Sequence, residues 1–361
     1  MQNQYKYVIG LMSGTSLDGL DLVYVKFNQK NYKDFQILQS STKSYSVYWK
    51  ETLQHAIYKS KEDLDRIDIE YGHLLGEMTN EFINKHNISV VDFIASHGHT
   101  VFHQPDKGIT FQIGDGQKIA DVTSCKVICD FRTQDVQLKG QGAPLVPIGD
   151  ELLFSDYDIC LNLGGFANVS FKRDNKRIAF DICPVNIVMN HYTKKIGLEY
   201  DKGGKIAARG KINEELLKEL NSLAYYKKNP PKSLGLEWVQ QIVFPTINKL
   251  ETDIPSILRT FIAHAAEQIG KVFDKSEKVL ATGGGAYNSF LIMEIERFYN
   301  KRIKMADADI IEFKEALIFA FLGLLKENNE INCLSSVTGA VKDHSSGEVF
   351  LPQSIKSVQN E

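Results

Sequence analysis

The chain has 361 residues, of which 43% are hydrophobic and 24% are charged. This ordinary composition excludes a disordered, collagen-like or coiled-coil protein, and the length predicts roughly two domains. With 42 Lys and Arg against 45 Asp and Glu, the net charge is -3, which argues against a general nucleic-acid binder.

Neither a membrane anchor nor a disulfide framework is expected. The first residues are polar, and no apolar run approaches the length that a membrane helix requires. The five cysteines are odd in number and form no paired CxxC units. We therefore expect a cytoplasmic protein with reduced cysteines and without a membrane or nucleic-acid partner.

Three β-prone segments, rich in branched and aromatic residues, open the chain at residues 8–12, 20–27 and 35–40. The turn formers SGTSLDG separate the first two, which predicts a hairpin with an enlarged polar tip. A roughly helical spacing of apolar residues follows at 64–84, and a strand at 90–95 ends in Ser96-His97-Gly98. The first hundred residues thus predict a βββαβ order.

The same order recurs later in the chain, with strands at residues 158–163, 167–172 and 177–180. Asp181 ends the third strand, and Pro184 suits the first turn of a helix. Residues 219–233, which contain NPPK, indicate an exposed excursion. A helix that starts after Asp253, with Pro255 in its first turn, is predicted next. A strand at 278–282 and a nearly all-apolar helix at 315–325 follow it. The repetition predicts an internal duplication.

The hairpin tip is the first candidate for chemistry. Gly14, Thr15, Ser16, Asp18 and Gly19 offer backbone N–H groups, two hydroxyls and a carboxylate in one tight turn. Such amides form an anion site, and hydroxyl or carboxylate oxygens suit Mg²⁺. A plain hairpin tip uses the same residue types, so both interpretations stay open at this point.

Two further glycine-rich turns follow predicted strands. NLGGFAN covers residues 162–168 and TGGGAYN covers residues 282–288, and adjacent glycines let the backbone approach a phosphate closely. Neither is a Walker loop. Three such turns at strand ends, with hydroxyl or Asn partners, are typical of a nucleotide held between two domains.

Several other polar residues have two interpretations each. His97, His99 and His103 are more typical of polar residues lining a cleft than of a zinc site. Asp181 lies where open α/β sheets place their chemistry, or else caps the following helix. Cys183, near a helix start, is either a thiol with a lowered pKa or a small core residue.

Specific motifs extend over nearly the whole chain: GLMSGTSLDGLD (10–21), ASHGHTVFHQP (95–105), TFQIGDG (110–116), DFRTQDV (130–136), GQGAPLVP (140–147), NLGGFANV (162–169), FDxCPxN (180–186) and TGGGAYN. With these motifs the chain resembles the anhydro-N-acetylmuramic acid kinase family of the actin, Hsp70 and sugar kinase superfamily. The resemblance implies an α/β fold of two duplicated ribonuclease-H-like (actin-like ATPase) domains, 1–140 and 141–361. It places a nucleotide cleft between them, and the last helix packs back on the first domain.

The resemblance also implies ATP and Mg²⁺ as cofactors, with Asp18 as the metal ligand. The residues implied to bind the nucleotide are Gly14, Thr15, Ser16, Leu17, Asp18, Gly19, Leu20, Asp21, Asn162, Gly164, Gly165, Gly283, Gly284 and Gly285. The hairpin and the NLGG turn would hold phosphates, and the TGGG turn would lie near the adenosine.

The family opens a 1,6-anhydro sugar with water while it phosphorylates O6, in the recycling of peptidoglycan. The position that matches its general base is Asp181, and the residues expected in the sugar pocket are His97, Arg132, Asn186 and Glu315. The family usually has DTGPGN at the base, whereas Ile182, Cys183 and Val185 stand here in place of Thr and two Gly. These larger side chains predict an altered pocket shape.

Two alternatives accompany this interpretation. The chain is either a related kinase for another sugar, or a non-catalytic sensor of a nucleotide or muropeptide. A sensor has no need of Asp181 beside its phosphate turns, so this residue favours the enzyme. A small sugar is the expected partner, and a homodimer stays open.

Overall fold

The computed structural model describes residues 4–14, 17–274 and 277–353. Contacts divide the chain into one unit of Met1–Leu153 with Phe313–Glu361, and a second unit of Phe154–Glu312. The sequence placed the domain boundary after residue 140 and returned only the last helix to the first domain. The difference arises because the later segment joins the first unit through contacts that are remote in the sequence.

The strands of the described residues are β1 (Tyr5–Ser13), β2 (Leu20–Asn28), β3 (Phe35–Lys43), β4 (Phe93–Gln104), β5 (Ile109–Ile113), β6 (Val127–Cys129), β7 (Ile159–Leu163), β8 (Phe166–Arg173), β9 (Lys176–Pro184), β10 (Val279–Thr282), β11 (Lys304–Met305) and β12 (Glu348–Phe350). β4 continues past Ser96, where the sequence predicts its end, because its polar second half pairs with β5.

The helices are α1 (Val47–His55), α2 (Lys61–Lys85), α3 (Gly116–Thr123), α4 (Thr133–Gln137), α5 (Val146–Leu153), α6 (Asn186–Lys194), α7 (Glu214–Ser222), α8 (Leu236–Trp238), α9 (Phe244–Leu250), α10 (Ile254–Gly270), α11 (Ser289–Tyr299), α12 (Ala308–Glu327) and α13 (Ser335–Thr338). Among the described residues, no helix is both long and apolar enough to cross a membrane.

The two sheets share one topology. In the first unit the order along the sheet is β12-β6-β4-β1-β2-β3, with β5 added beside β4, and in the second it is β11-β10-β7-β8-β9. In each unit the first three strands are antiparallel, and the fourth lies parallel to the first. The fifth core strand, β6 or β11, continues the parallel side. The predicted duplication of a ribonuclease-H-like α/β domain is therefore confirmed.

Strand β1 shows how the first sheet is covered. Ile9 and Leu11 are fully buried in a cluster with residues of α2, whereas Gly10 points to the opposite face. A Cβ on Gly10 would lie 2.2 Å from the carbonyl oxygen of Ala316, so the backbone of α12 packs directly against the strand. The strand reads as a continuous apolar run because both of its faces are covered.

Candidate active site

In the second unit, two glycine-rich turns lie side by side where neighbouring strands end. Asn162, one residue before the end of β7, is in register with Thr282, the last residue of the parallel strand β10. Gly164 and Gly165 follow β7, and Gly283 follows β10. Parallel neighbours that end together place their turns at the same edge of the sheet, where open α/β folds bind ligands.

The TGGG turn leaves no room for a side chain at its first and third glycines. Gly283 has φ 78° and ψ 159°, a conformation that glycine alone adopts without strain. A Cβ there would lie 2.4 Å from Oδ1 of Asn162, and one on Gly285 would lie 2.8 Å from the carbonyl oxygen of Leu163. Gly284 faces open space and is exposed. The turn is therefore held against β7 while its middle residue stays accessible.

The start of α6 fastens the NLGG turn. The amide N–H groups of Val185 and Asn186 donate to the carbonyl oxygens of Gly165 and Gly164 at 2.8 and 3.3 Å. Nδ2 of Asn186 also donates to the carbonyl oxygen of Leu163 at 3.2 Å. Asn186 therefore braces the turn, and its contact with a sugar stays a prediction.

Asp181 lies on β9, in register with Asn168 of β8. The expectation that the strand ends at Asp181 is wrong, because β9 continues to Pro184. The register shifts beside Asn168 and leaves Ile182 as an extra residue, a bulge that changes the direction of neighbouring side chains. Asp181 does not cap α6 either, since the capping position is Val185.

The segment that follows α7 holds the backbone and carboxylate of Asp181. Oδ2 accepts the amide N–H of Leu234 at 2.8 Å, and the Asp181 amide donates to the carbonyl oxygen of Lys232 at 3.1 Å. The hydroxyl of Tyr225 donates to the Asp181 carbonyl oxygen at 2.5 Å. The exposed excursion predicted from NPPK is found at residues 227–231, whereas Tyr225 before it is buried and Lys232 after it bonds to β9.

The environment of Asp181 suits a base. Burial raises the pKa of its carboxyl above the ordinary value, and the Leu234 N–H partly opposes the rise. From the residues that the structure describes, Oδ1 accepts no hydrogen bond. One carboxylate oxygen is therefore held by the backbone, and the other is available to a ligand or a water molecule.

The three residues that depart from the family pattern all point into the core. Ile182, Cys183 and Val185 are buried in the hydrophobic cluster of the second unit. Burial raises the pKa of the Cys183 thiol, so the interpretation as a small core residue fits and a lowered pKa does not. The altered pocket shape that these residues predict stays a prediction.

In the first unit, β1 and β2 form the predicted hairpin, whose last pair is Ser13 and Leu20. Thr15 and Ser16 lie outside the described residues. Asp18 is exposed at the tip, and Leu17 has a positive φ of 60°, with its N–H donated to the carbonyl oxygen of Gly14 at 3.3 Å. The tip therefore presents one described carboxylate to solvent.

The base of this hairpin packs tightly. A Cβ on Gly19 would lie 2.3 Å from the carbonyl oxygen of Lys43. Oδ1 of Asp21 accepts the hydroxyl of Thr42 at 2.5 Å. The Leu20 side chain is buried in the core, so only its backbone is available to a ligand.

A buried chain of hydrogen bonds supports the hairpin from below. The hydroxyls of Tyr71 and Tyr45 lie 2.7 Å apart, Tyr45 donates to Oγ of Ser13 at 2.8 Å, and that Oγ lies 3.1 Å from Nδ1 of His99. Burial lowers the pKa of His99 to about 4, so its neutral ring accepts the Ser13 hydroxyl. Sequence reasoning missed this network, because its members are distant along the chain.

His97 and Arg132, both predicted in the sugar pocket, are directly bonded. Nε of Arg132 donates to Nε2 of His97 at 3.0 Å, and Nη1 donates to the carbonyl oxygen of Gly142 at 2.6 Å. Nδ1 of His97 donates to the carbonyl oxygen of Gly98 at 2.9 Å, which assigns the neutral tautomer. Burial, and then the Arg132 charge, hold the pKa of His97 well below its usual value.

Glu315, on α12, interacts electrostatically with Arg132. The protein atoms around its carboxyl raise its pKa by desolvation, although the side chain itself is exposed, and the Arg132 charge opposes that rise. The structure thus relates Glu315 to Arg132. The roles of both in binding a substrate stay predictions.

A cavity of about 160 Å³ in the first unit borders His97 and Thr133. Asp68, from α2, forms part of its wall, and Oδ1 of Asp68 accepts the N–H of Gly114 at 2.6 Å. Burial raises the pKa of Asp68 to about 6, against an ordinary value of 3.8. The cavity therefore contains a carboxyl that is easier to protonate in the folded state than in the unfolded chain.

We expect Asp68→Asn to stabilise the protein most above about pH 6. Because the folded-state pKa is raised, the wild type loses free energy of unfolding as the pH rises from about 4 to 6. The amide oxygen still accepts the Gly114 N–H but does not ionise. Denaturant unfolding near pH 4 and pH 7 should show the variant's advantage growing by up to about 3 kcal/mol. An advantage that does not change with pH would contradict the assigned cause.

Comparison with known proteins extends these observations. A family model described as anhydro-N-acetylmuramic acid kinase matches residues 6–352. A protein of that description from Shewanella putrefaciens is 34% identical over 93% of this chain and 96% of its own. One from Clostridioides difficile is 35% identical over 92% of this chain and 95% of its own.

Solved structures are more distant. A ligand-bound xylulose kinase from Lactobacillus acidophilus is 11% identical, with a TM-score of 0.43, and covers 98% of this chain and 95% of its own. A ROK family glucokinase from Streptomyces griseus, in complex with glucose and AMPPNP, is 11% identical, with a TM-score of 0.39, and covers 88% of this chain and 98% of its own.

Proposed function

The chain belongs to the anhydro-N-acetylmuramic acid kinase family, and we propose that it opens 1,6-anhydro-N-acetylmuramic acid with water and transfers the γ-phosphoryl group of ATP to O6. The product is N-acetylmuramic acid 6-phosphate, which serves peptidoglycan recycling. A cytoplasmic location follows from this proposal, because the reaction consumes ATP and a recovered cell-wall sugar.

The observation that carries the proposal is the state of Asp181. A base must hold a water molecule through a free oxygen, and Oδ1 meets that need while Oδ2 is held by Leu234. A base works best when its pKa approaches the operating pH, and burial moves the pKa of Asp181 in that direction. A binding protein without catalysis has no need of this arrangement.

The proposed reaction couples two bond changes. Asp181 removes a proton from water, the water oxygen bonds to C1 of the sugar, and the C1–O6 bond breaks. The electron pair of that bond stays on O6, which bonds to the γ-phosphorus as the bond to the β-phosphate oxygen breaks. Phosphoryl transfer of this kind depends mainly on positioning and on stabilisation of charge.

We assign the nucleotide to the glycine turns. The hairpin tip, residues 14–21, and the NLGG turn with Asn162, Gly164 and Gly165 would bind phosphates through backbone N–H groups. The TGGG turn would lie along the adenosine, and the exposed Gly284 supports that assignment because a flat base can approach it.

Mg²⁺ would be held at the hairpin tip by Asp18. The exposed carboxylate fits, since Mg²⁺ prefers oxygen ligands and keeps several waters. When bound, the ion supplies positive charge that offsets the charge of the phosphates.

The sugar would be bound by His97, Arg132, Asn186 and Glu315. Arg132 uses one N–H toward His97 and one toward Gly142, and a guanidinium carries five. Its other N–H groups suit an anionic substituent, and N-acetylmuramic acid carries a carboxylate. A kinase for a different sugar is the second candidate, because Ile182, Cys183 and Val185 replace the family's usual Thr and two Gly directly after Asp181.

We expect incubation with ATP and the anhydro sugar to yield a product heavier than the substrate by one phosphoryl group (HPO3) and one water, formed one-to-one with ADP. The anhydro sugar has no free O6, so phosphorylation requires that O6 first leave C1. Mass spectrometry and ADP quantification measure both quantities. Ordinary N-acetylmuramic acid is the matched control, because it has a free O6 and requires no ring opening.

A phosphorylated product without added water, or an opened sugar without phosphate, would overturn the coupled mechanism. Equal turnover of ordinary N-acetylmuramic acid would favour the kinase for another sugar. ATP binding with no product from either sugar would favour the sensor.

A further inference from the structure

A cluster of potential metal ligands lies in the first unit, apart from the groups used above. One side-chain donor each from Asp135, Cys333 and His344 lies within 4.8 Å of the other two. Asp135 is 0% exposed, Cys333 1% and His344 6%. Thiolate, imidazole and carboxylate are the ligand types that proteins use to bind zinc.

The backbone holds two of these residues side by side. Cys333 and His344 form an antiparallel bridge, in which the Cys333 amide donates to the carbonyl oxygen of His344 at 3.0 Å and the His344 amide donates back at 3.2 Å. The amide of Asn332 adds a second bond to the carbonyl oxygen of His344 at 3.1 Å. Their separation is therefore set by the main chain rather than by side-chain packing.

Asp135, on α4, is oriented by its own hydrogen bonds. Oδ2 accepts the N–H of Gly142 at 2.7 Å, and Oδ1 accepts the hydroxyl of Thr338 at 2.7 Å. A Cβ on Gly140 would lie 2.0 Å from Oδ2, so the loop closes directly over the carboxylate. Hydrogen bonds of this kind to a ligating carboxylate are typical of metal sites.

One buried nitrogen of the cluster lacks a hydrogen-bond partner among the described residues. Nδ1 of His344 lies 3.2 Å from the carbonyl oxygen of Lys342, an acceptor, so Nδ1 carries hydrogen. Nε2 lies 3.6 Å from Oδ1 of Asp135, beyond hydrogen-bond distance, and has no hydrogen-bond partner among the described residues. A buried lone pair thus faces a carboxylate oxygen, an unfavourable contact that a cation bound between them would relieve.

We propose that Asp135, Cys333 and His344 bind one zinc ion. The mixture of sulfur, nitrogen and oxygen donors suits Zn²⁺ better than Mg²⁺ or Ca²⁺, which prefer oxygen alone. One thiolate and one carboxylate neutralise the two charges of the ion. The negative charge of Glu315 offsets the positive charge of nearby Arg132.

The ion would have a structural role rather than a catalytic one. It would join the segment of Cys333 and His344 to α4, which carries Asp135 and begins directly after Arg132. The loop that follows α4 provides Gly142, which bonds to both Arg132 and Asp135. Zinc would therefore fix the backbone that carries the proposed sugar-binding guanidinium, and its binding can be tested without an activity assay.

The test measures metal in the full-length protein purified without chelators. We expect about one zinc per chain by inductively coupled plasma mass spectrometry. After removal of zinc, cobalt(II) should produce a near-ultraviolet thiolate charge-transfer band. Cys333→Ser should abolish that band, whereas Cys125→Ser, a half-buried cysteine outside the cluster, should retain it.

His344→Gln gives an independent variant if Cys333→Ser fails to fold. Its zinc affinity, from competition with a chromogenic chelator, should fall at least about 100-fold. Wild-type protein that binds neither zinc nor cobalt would overturn the proposal. Zinc bound equally by the wild type and the folded variants would also overturn it, because the ion would then lie elsewhere.

Discussion

Asp181→Asn is expected to lower the turnover of the anhydro sugar by about 10²–10⁴-fold, the range that loss of a general base usually produces. The amide keeps the shape of the carboxyl, and its oxygen can still accept the Leu234 N–H. It has no lone pair basic enough to remove a proton from water. ATP affinity, measured by calorimetry, should stay within a few-fold of the wild type.

The same variant should be no less stable than the wild type near neutral pH. The folded-state pKa of Asp181 is raised above the ordinary value of 3.8. The free energy of unfolding of the wild type therefore falls as the pH rises from about 3.8 through the raised pKa. An uncharged amide avoids that loss. Unchanged or improved stability combined with lost turnover separates a catalytic defect from a folding defect.

Asp174→Asn is the matched control. Asp174 lies in the turn between β8 and β9, exposed and with φ 49°, a conformation that Asn tolerates well. The identical chemical change there should leave turnover and stability unaltered. Turnover of Asp181→Asn within threefold of the wild type would mean that another group is the base.

Gly283→Ala should lower the free energy of unfolding by about 3 kcal/mol or more. The alanine would have to adopt a conformation that costs about 1–3 kcal/mol, and its methyl would overlap Oδ1 of Asn162, with a further cost of similar size. Moving the turn would also displace it from the proposed adenosine site, so ATP affinity should fall. Denaturant unfolding and calorimetry measure the two effects.

Gly284→Ala provides the comparison for this prediction. It adds the same methyl one residue later, where nothing lies within 4 Å, and the change in stability should be within about 0.5 kcal/mol. Equal destabilisation by the two variants would show that the turn adapts and that its first glycine is not required.

Sequence patterns predicted the first three strands of each sheet, together with β4 and β10, because local chemistry determines them, but they did not predict β5, β6, β11 or β12. Branched and aromatic runs predicted strands at 20–27 and 158–163, and the structure has Leu20–Asn28 and Ile159–Leu163. The error at β4 has a physical cause. Its second half, from His97 to Gln104, has little apolar character and extends only because β5 pairs with it.

Contacts between distant segments were beyond prediction. Leu234 is 53 residues from Asp181, and no local spacing indicates that its amide would hold the carboxylate. The same applies to β12, which pairs with β6 although most of the chain separates the two strands in the sequence. Motifs therefore predicted candidate residues such as Asp181, whereas the groups that orient them appear only in the folded structure.

The first unit consists of two segments of the chain, which the second unit separates. This arrangement has a consequence for synthesis on the ribosome. Gly10 of β1 packs against Ala316 of α12, and β6 pairs with β12, yet both partners are translated after the whole of Phe154–Glu312. At about 5–20 residues per second, that insertion takes roughly 10 to 30 s to make. Throughout this interval the nascent first sheet exposes the apolar face that α12 later covers, and this face is the surface available to a chaperone.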